Sequence, residues 1–200
     1  MLVSAHALSL ALLLLGGGPD LERGSQPATP ASSSSPSVSA HEAAEPPATE
    51  ICAGDPAPDF AFQGFDRRWM RLHHLLNHGQ VLIVFGATPA ELTQLDLEKD
   101  DLLSLGVVPV AVLDRTPGVA RRLAVELGLS YTVLADARQV IAVQFNCTDG
   151  GRMVRGWFVV DSHGKVRALQ RGTLPEGDYP TLCARALGLA TPGVPLPASR

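Results

Sequence analysis

Thiols are the first groups to look for, and this chain has three: Cys52, Cys147 and Cys183, with no C-x-x-C pair and no metal-type spacing among them. A zinc site or a vicinal dithiol is therefore not expected, and an odd count leaves at least one thiol unpaired unless chains pair with each other. Residues 81–96, VLIVFGATPAELTQLD, pass from an unbroken apolar run into a helical pattern. A helix N-terminus at such a place lowers a thiol pKa or holds an anion, yet the stretch contains no cysteine. It does contain Thr93 and Asp96 in a T-x-x-D arrangement, the pattern of a capping box. The two residues thus suit either a helix cap or a pocket that favours negative charge. Cys147, in NCTDGGRMVR, falls in a connecting loop with no basic residue close enough to argue a lowered pKa, and Cys183 falls among Leu182, Ala184 and Leu187, where a buried small hydrophobe is expected. Cys52 stands at a linker junction and is expected to be exposed. His73, His74 and His78 form LHHLLNH, in which His74 and His78 would share a helix face as the start of a metal site, but no third ligand is near and metal binding is not expected. Asn146-Cys147-Thr148 is a glycosylation sequon, meaningful only for a chain that enters a secretory pathway.

The elements that must position these residues follow from hydrophobic period and turn chemistry. Extended stretches at 59–62 and 69–72, with a turn at 65–68, make a first hairpin, followed by a short helix around 73–77. Residues 81–85 (VLIVF) and 107–113 (VVPVAVL) read as buried strands around a helix at 93–105, one βαβ unit. A helix at 118–127, a strand at 132–135 and a helix at 138–145 come next. Strands at 156–160 and 166–170 join through Asp161-Ser162-His163-Gly164 as an antiparallel hairpin, and residues 179–187 close the domain as a helix. This order gives an α/β architecture: a central mixed sheet flanked by helices in the thioredoxin-like layout, with an N-terminal β-hairpin extension.

The totals bound the remaining possibilities. Two hundred residues with a net charge of −4 and scattered arginines suit one globular domain and offer no basic stripe for nucleic acid. No stretch beyond the N-terminus approaches the length of a membrane span. Residues 7–15, ALSLALLLL, ahead of three glycines, have the length of a signal-peptide core, so 1–18 is expected to be a signal peptide and the protein exported, although no Lys or Arg precedes the core. Residues 19–50, rich in Ser, Pro and Ala, are expected to be a disordered linker, 51–189 the folded domain and 190–200 a flexible tail.

With the order of elements in view, three stretches resemble the peroxiredoxins of the alkyl hydroperoxide reductase and thiol-specific antioxidant family over about residues 54–188. GDPAPDFAF is similar to the family's entry motif, VLIVFGATPAELTQLD to its active-site segment, and RGWFVVDSHGKVRAL to its RGxFxxDxxGxxR hairpin. In that family the active-site segment reads P-x-x-x-T-x-x-C and a second arginine stands at the start of the RGxF strand. The resemblance sets Pro89, Thr93 and Arg155 on three of those positions and Asp96 on the peroxidatic cysteine. It implies that Asp96 and Arg155 face one cleft at the N-terminus of a helix starting near Thr93. A rival alignment with the F-x-A-T-x-C-x-x-C segment of secreted thioredoxin-like reductases sets Ala90 and Thr93 on the two cysteines, but Val154 stands where a thioredoxin would carry its cis-proline.

What the resemblance implies about function divides in two. Without the peroxidatic cysteine, the domain is expected to be a non-catalytic binding or interaction module, its residual pocket open to a peroxide or a small anion, with a protein partner or a second copy as its companion. The alternative is a thiol-dependent peroxidase working through Cys147, or through a pair formed with Cys52. Neither reading calls for a cofactor.

Overall fold

The computed structural model describes residues 50–63 and 68–190. The expected signal peptide, most of the linker, the tip of the first hairpin and the C-terminal tail lie outside them. The first elements are β1 (Ala61–Gln63) and β2 (Trp69–Arg71), paired antiparallel, and α1 (Leu72–Leu76). Then come β3 (Gln80–Phe85), α2 (Pro89–Leu97), α3 (Lys99–Ser104), β4 (Val107–Leu113), α4 (Pro117–Glu126), β5 (Thr132–Ala135) and α5 (Val140–Gln144). A two-stranded pair, β6 (Thr148–Asp149) and β7 (Arg152–Met153), precedes β8 (Gly156–Val160), β9 (Val166–Arg171) and the closing helix α6 (Tyr179–Leu187).

Five strands form the central sheet in the order β5-β4-β3-β8-β9. The pairs β3–β4 and β4–β5 are parallel, while β8 runs antiparallel to both β3 and β9. The sheet is mixed, as expected. Its central strands are apolar without interruption because both faces are covered: Val81 to Phe85, Val110 to Val112 and Phe158 to Val160 are all essentially inaccessible to solvent.

Alternation along each strand divides the core in two. Val81, Ile83, Phe85, Phe158 and Val160 pack with Leu72 and Leu75 of α1 and Ile141, Ala142 and Phe145 at α5. Leu82, Val84, Trp157 and Val159 pack with Leu92 and Leu95 of α2, Leu102 of α3, Ala124 of α4, and Tyr179 and Cys183 of α6. The turn after β8 is held by Asp161, whose Oδ1 accepts from the amides of His163 and Lys165, with Gly164 at positive φ.

Three sequence expectations need correction here. The first helix of the βαβ unit starts at Pro89 rather than Thr93, and it breaks at Glu98 into α2 and α3. Thr88-Pro89-x-Glu91 is the stronger start signal, because proline at the first helical position leaves no amide unpaired and Thr88 and Glu91 complete a reciprocal cap. The segment after Cys147 is a tight β6–β7 pair rather than open loop. Gly150 and Gly151, both at positive φ, supply the two-residue turn that such a hairpin needs. Finally, α1 ends at Leu76, so His78 lies in the turn beyond it and does not share a helix face with His74.

Candidate functional site

The site is built where β3 ends. Gly86, at φ +63, turns the chain out of the strand, in a backbone conformation that would strain a side chain there, beside Arg155. Thr88 then caps α2. Its amide and hydroxyl both donate to Glu91 Oε2 at 2.8 Å, and the Glu91 amide donates back to Thr88 Oγ1 at 3.4 Å. The other oxygen, Glu91 Oε1, pairs with the Arg155 guanidinium at the start of β8. One carboxylate therefore closes the cap of α2 and neutralises the arginine of the neighbouring strand. The pair is half-covered: the Glu91 side chain is 20% exposed and that of Arg155 43%.

Asp96 is elsewhere. Its Oδ1 accepts from the amide and hydroxyl of Ser130, at 2.8 and 2.9 Å, in the turn that leads into β5. The expectation that Asp96 and Arg155 face one cleft is thus corrected. Starting the helix at Pro89 leaves Asp96 near its C-terminal end, while Glu91 falls in the first turn beside the arginine. Thr93 also fails to reach the pair, because its hydroxyl donates back to the carbonyl of Pro89 at 3.0 Å. Pro89 stands at the start of α2, exposed, and Ala90 is exposed beside it. Of the residues singled out from the sequence, only Arg155 takes part in the pair. Glu91 was missed, although Thr88-x-x-Glu91 carries the same capping signal as Thr93-x-x-Asp96 with a proline added.

The thiols occupy three environments. Cys147 is fully buried in the core on the face of the sheet opposite α2. Burial pushes its thiol up to about 12, against which the neighbouring Arg171 guanidinium acts in the other direction. Cys183 is buried in α6 and is likewise pushed up to about 12 by burial. Cys52 is exposed. Asn146 of the sequon accepts at its Oδ1 from the amide of Ile51 at 2.9 Å. His73 faces Asp59 at 3.4 Å. Among the described residues no group of three His, Cys, Asp or Glu is arranged to hold a metal ion.

Arg171 organises a second polar centre. Its guanidinium donates to the carbonyls of Ile51 and Phe145, pairs with Glu50, and lies 5.4 Å over the Phe158 ring. This centre ties the start of the described chain to the end of α5 and to β9.

A mixed sheet in this strand order, with helices on both faces and an arginine at the start of β8 meeting the first turn of α2, defines a thioredoxin-like α/β domain of the peroxiredoxin kind. Comparison with known proteins agrees. The AhpC/TSA family profile matches residues 53–169, and the chain belongs to that family. The fold is similar to that of peroxidoxin BcpB from Mycobacterium tuberculosis, with a TM-score of 0.63 and 20% identity over 70% of this chain and 97% of that one. AhpC from Enterococcus faecalis gives a TM-score of 0.58 and 20% identity over 69% and 91% of the two chains. The bacterioferritin comigratory protein of Xanthomonas campestris gives 0.56 and 14% identity over 64% and 90%. No curated protein matches the sequence.

Proposed function

We propose that this AhpC/TSA-family domain is a non-catalytic binding or interaction module in which Glu91 stands where a peroxidatic thiol would. The observation that carries the reading is the Glu91–Arg155 pair at the first turn of α2. Peroxide reduction requires a thiolate whose sulfur forms a bond to one peroxide oxygen as the O–O bond breaks, with the helix N-terminus and an arginine favouring the charged sulfur. A carboxylate at the same place satisfies the same electrostatics and has no sulfur to oxidise. It also fills the position, so that an incoming small anion would have to displace Glu91 from Arg155. The thiol-peroxidase alternative loses support from the burial of Cys147, whose thiol stays protonated through the neutral range on the far side of the sheet. Export through the N-terminal apolar segment belongs to the same proposal, and N-terminal sequencing of protein recovered outside the cytoplasm checks it.

The test is Glu91→Cys. A thiol at this position would sit at a helix N-terminus beside Arg155, both lowering its pKa below that of an ordinary thiol. Stopped-flow oxidation by hydrogen peroxide should then be much faster than that of any native thiol, while Asp96→Cys, beside Ser130, should show no such gain. If Glu91→Cys reacts no faster than free cysteine, the position is not the remnant of a peroxide site. If the native chain itself reduces peroxide with turnover, the non-catalytic reading fails.

A further inference from the structure

The carboxyl ends of β3 and β4 open on a groove that the Glu91–Arg155 pair does not use. It has a volume of about 490 Å³, and one of its walls is a single face of α4, carrying Val119, Arg122, Leu123 and Glu126 at helical spacing. The loop from Gly86 to Pro89 forms the opposite wall, and the segment from Leu113 to Arg115 and Met153 close the end. The size falls within the range of small-molecule sites, and the ends of parallel strands are where open α/β sheets place ligands. Apolar Ala87, Leu113, Val119, Leu123 and Met153 alternate in its lining with polar and charged groups, and Val119 is 44% exposed.

Its polar groups are unevenly engaged. Among the described residues Arg115 donates only to the backbone carbonyl of Asp114 and Arg122 has no partner, so neither guanidinium meets a carboxylate there. Asp114 is approached by the side-chain amide of Gln139 at 3.4 Å. Glu126 lies one helical turn beyond Arg122, at the end of α4.

We infer that this groove is a binding site for an amphiphilic monoanion, with a carboxylate or sulfonate head at Arg115 and Arg122 and an apolar body along Val119, Leu123 and Met153. Two arginines from separate elements give the head a charge-assisted anchor. The inference is independent of the role given to Glu91, since neither Glu91 nor Arg155 lines the groove.

Octanoate titrated into the full chain, followed by NMR and calorimetry, tests it. Saturable shifts at Ala87, Val119, Leu123 and Met153 are expected, with octylamine and octanol failing to saturate. Replacing both arginines, Arg115→Gln with Arg122→Gln, should weaken binding by about tenfold or more, and an unchanged melting curve would show that the fold survives. No saturable shift, shifts confined to another region, comparable binding of octylamine or octanol, or undiminished binding by the double variant would each overturn the inference.

Discussion

At the residue scale the two buried thiols are informative because their environments fix their chemistry. Cys147 and Cys183 hold their protons more tightly in the folded chain, up to about 12 against an ordinary value near 9, because burial opposes the charged form. A group whose folded pKa is raised contributes stability that is complete below the unfolded value and is lost as pH climbs toward the folded one. Stability should therefore decline between pH about 9 and about 12, by on the order of 1 kcal/mol per pH unit for each buried thiol, and urea denaturation across that range measures it. Only Cys52 should react promptly with a thiol reagent at neutral pH, the other two following only in denaturant. Prompt labelling of a second thiol in the folded protein would contradict this. The same scale shows why the site was half legible in the sequence. Arg155 was found through its motif, RGWF, whereas the family register drew attention to Thr93 and Asp96, although Thr88-Pro89-x-Glu91, five residues earlier, is the stronger helix start.

At the element scale, the strands were legible and the helix boundaries less so. VLIVF and WFVV read directly as strands because both faces of the sheet are covered, so no polar residue interrupts them. The extent of α6 was legible as 179–187, but what caps it was not. Its N-cap residue, Asp178, is left-handed and makes no side-chain cap, and the first-turn amides are satisfied from afar: Asp178 and Tyr179 donate to Glu98, at 3.0 and 2.7 Å, across about 80 residues of sequence. No local pattern announces a cap supplied by another helix. Glu98→Ala removes that acceptor and leaves two amides without a partner. A loss of about 1–2 kcal/mol is expected in denaturant titrations, with faster amide exchange confined to the first turn of α6. Unchanged exchange there would show that the cap is dispensable.

At the scale of the whole molecule, one face of the sheet is centred on aromatic rings. Phe85, Phe145 and Phe158 meet pairwise with centroids 5.0–5.7 Å apart, and Phe60 joins at 6.3 Å from Phe145. Phe145→Ala opens a cavity among fully buried side chains. It should cost about 3–5 kcal/mol, a large share of the stability of a domain this size, and a loss below about 1 kcal/mol would mean that the face collapses to fill the space. Beside these rings lies the Arg171 centre, and its consequence is one of timing. Ile51 is held by Asn146 and by Arg171, 95 and 120 positions later in the chain. During synthesis, which runs from the N-terminus, Ile51 leaves the ribosome long before either of these partners does. The loop it closes spans most of the domain, and contacts of such separation are the ones that slow folding. The first residues of the domain to be made are thus among the last to be fastened, and until Arg171 arrives a nascent chain must carry Ile51, Phe145 and Phe158 without the guanidinium that joins them.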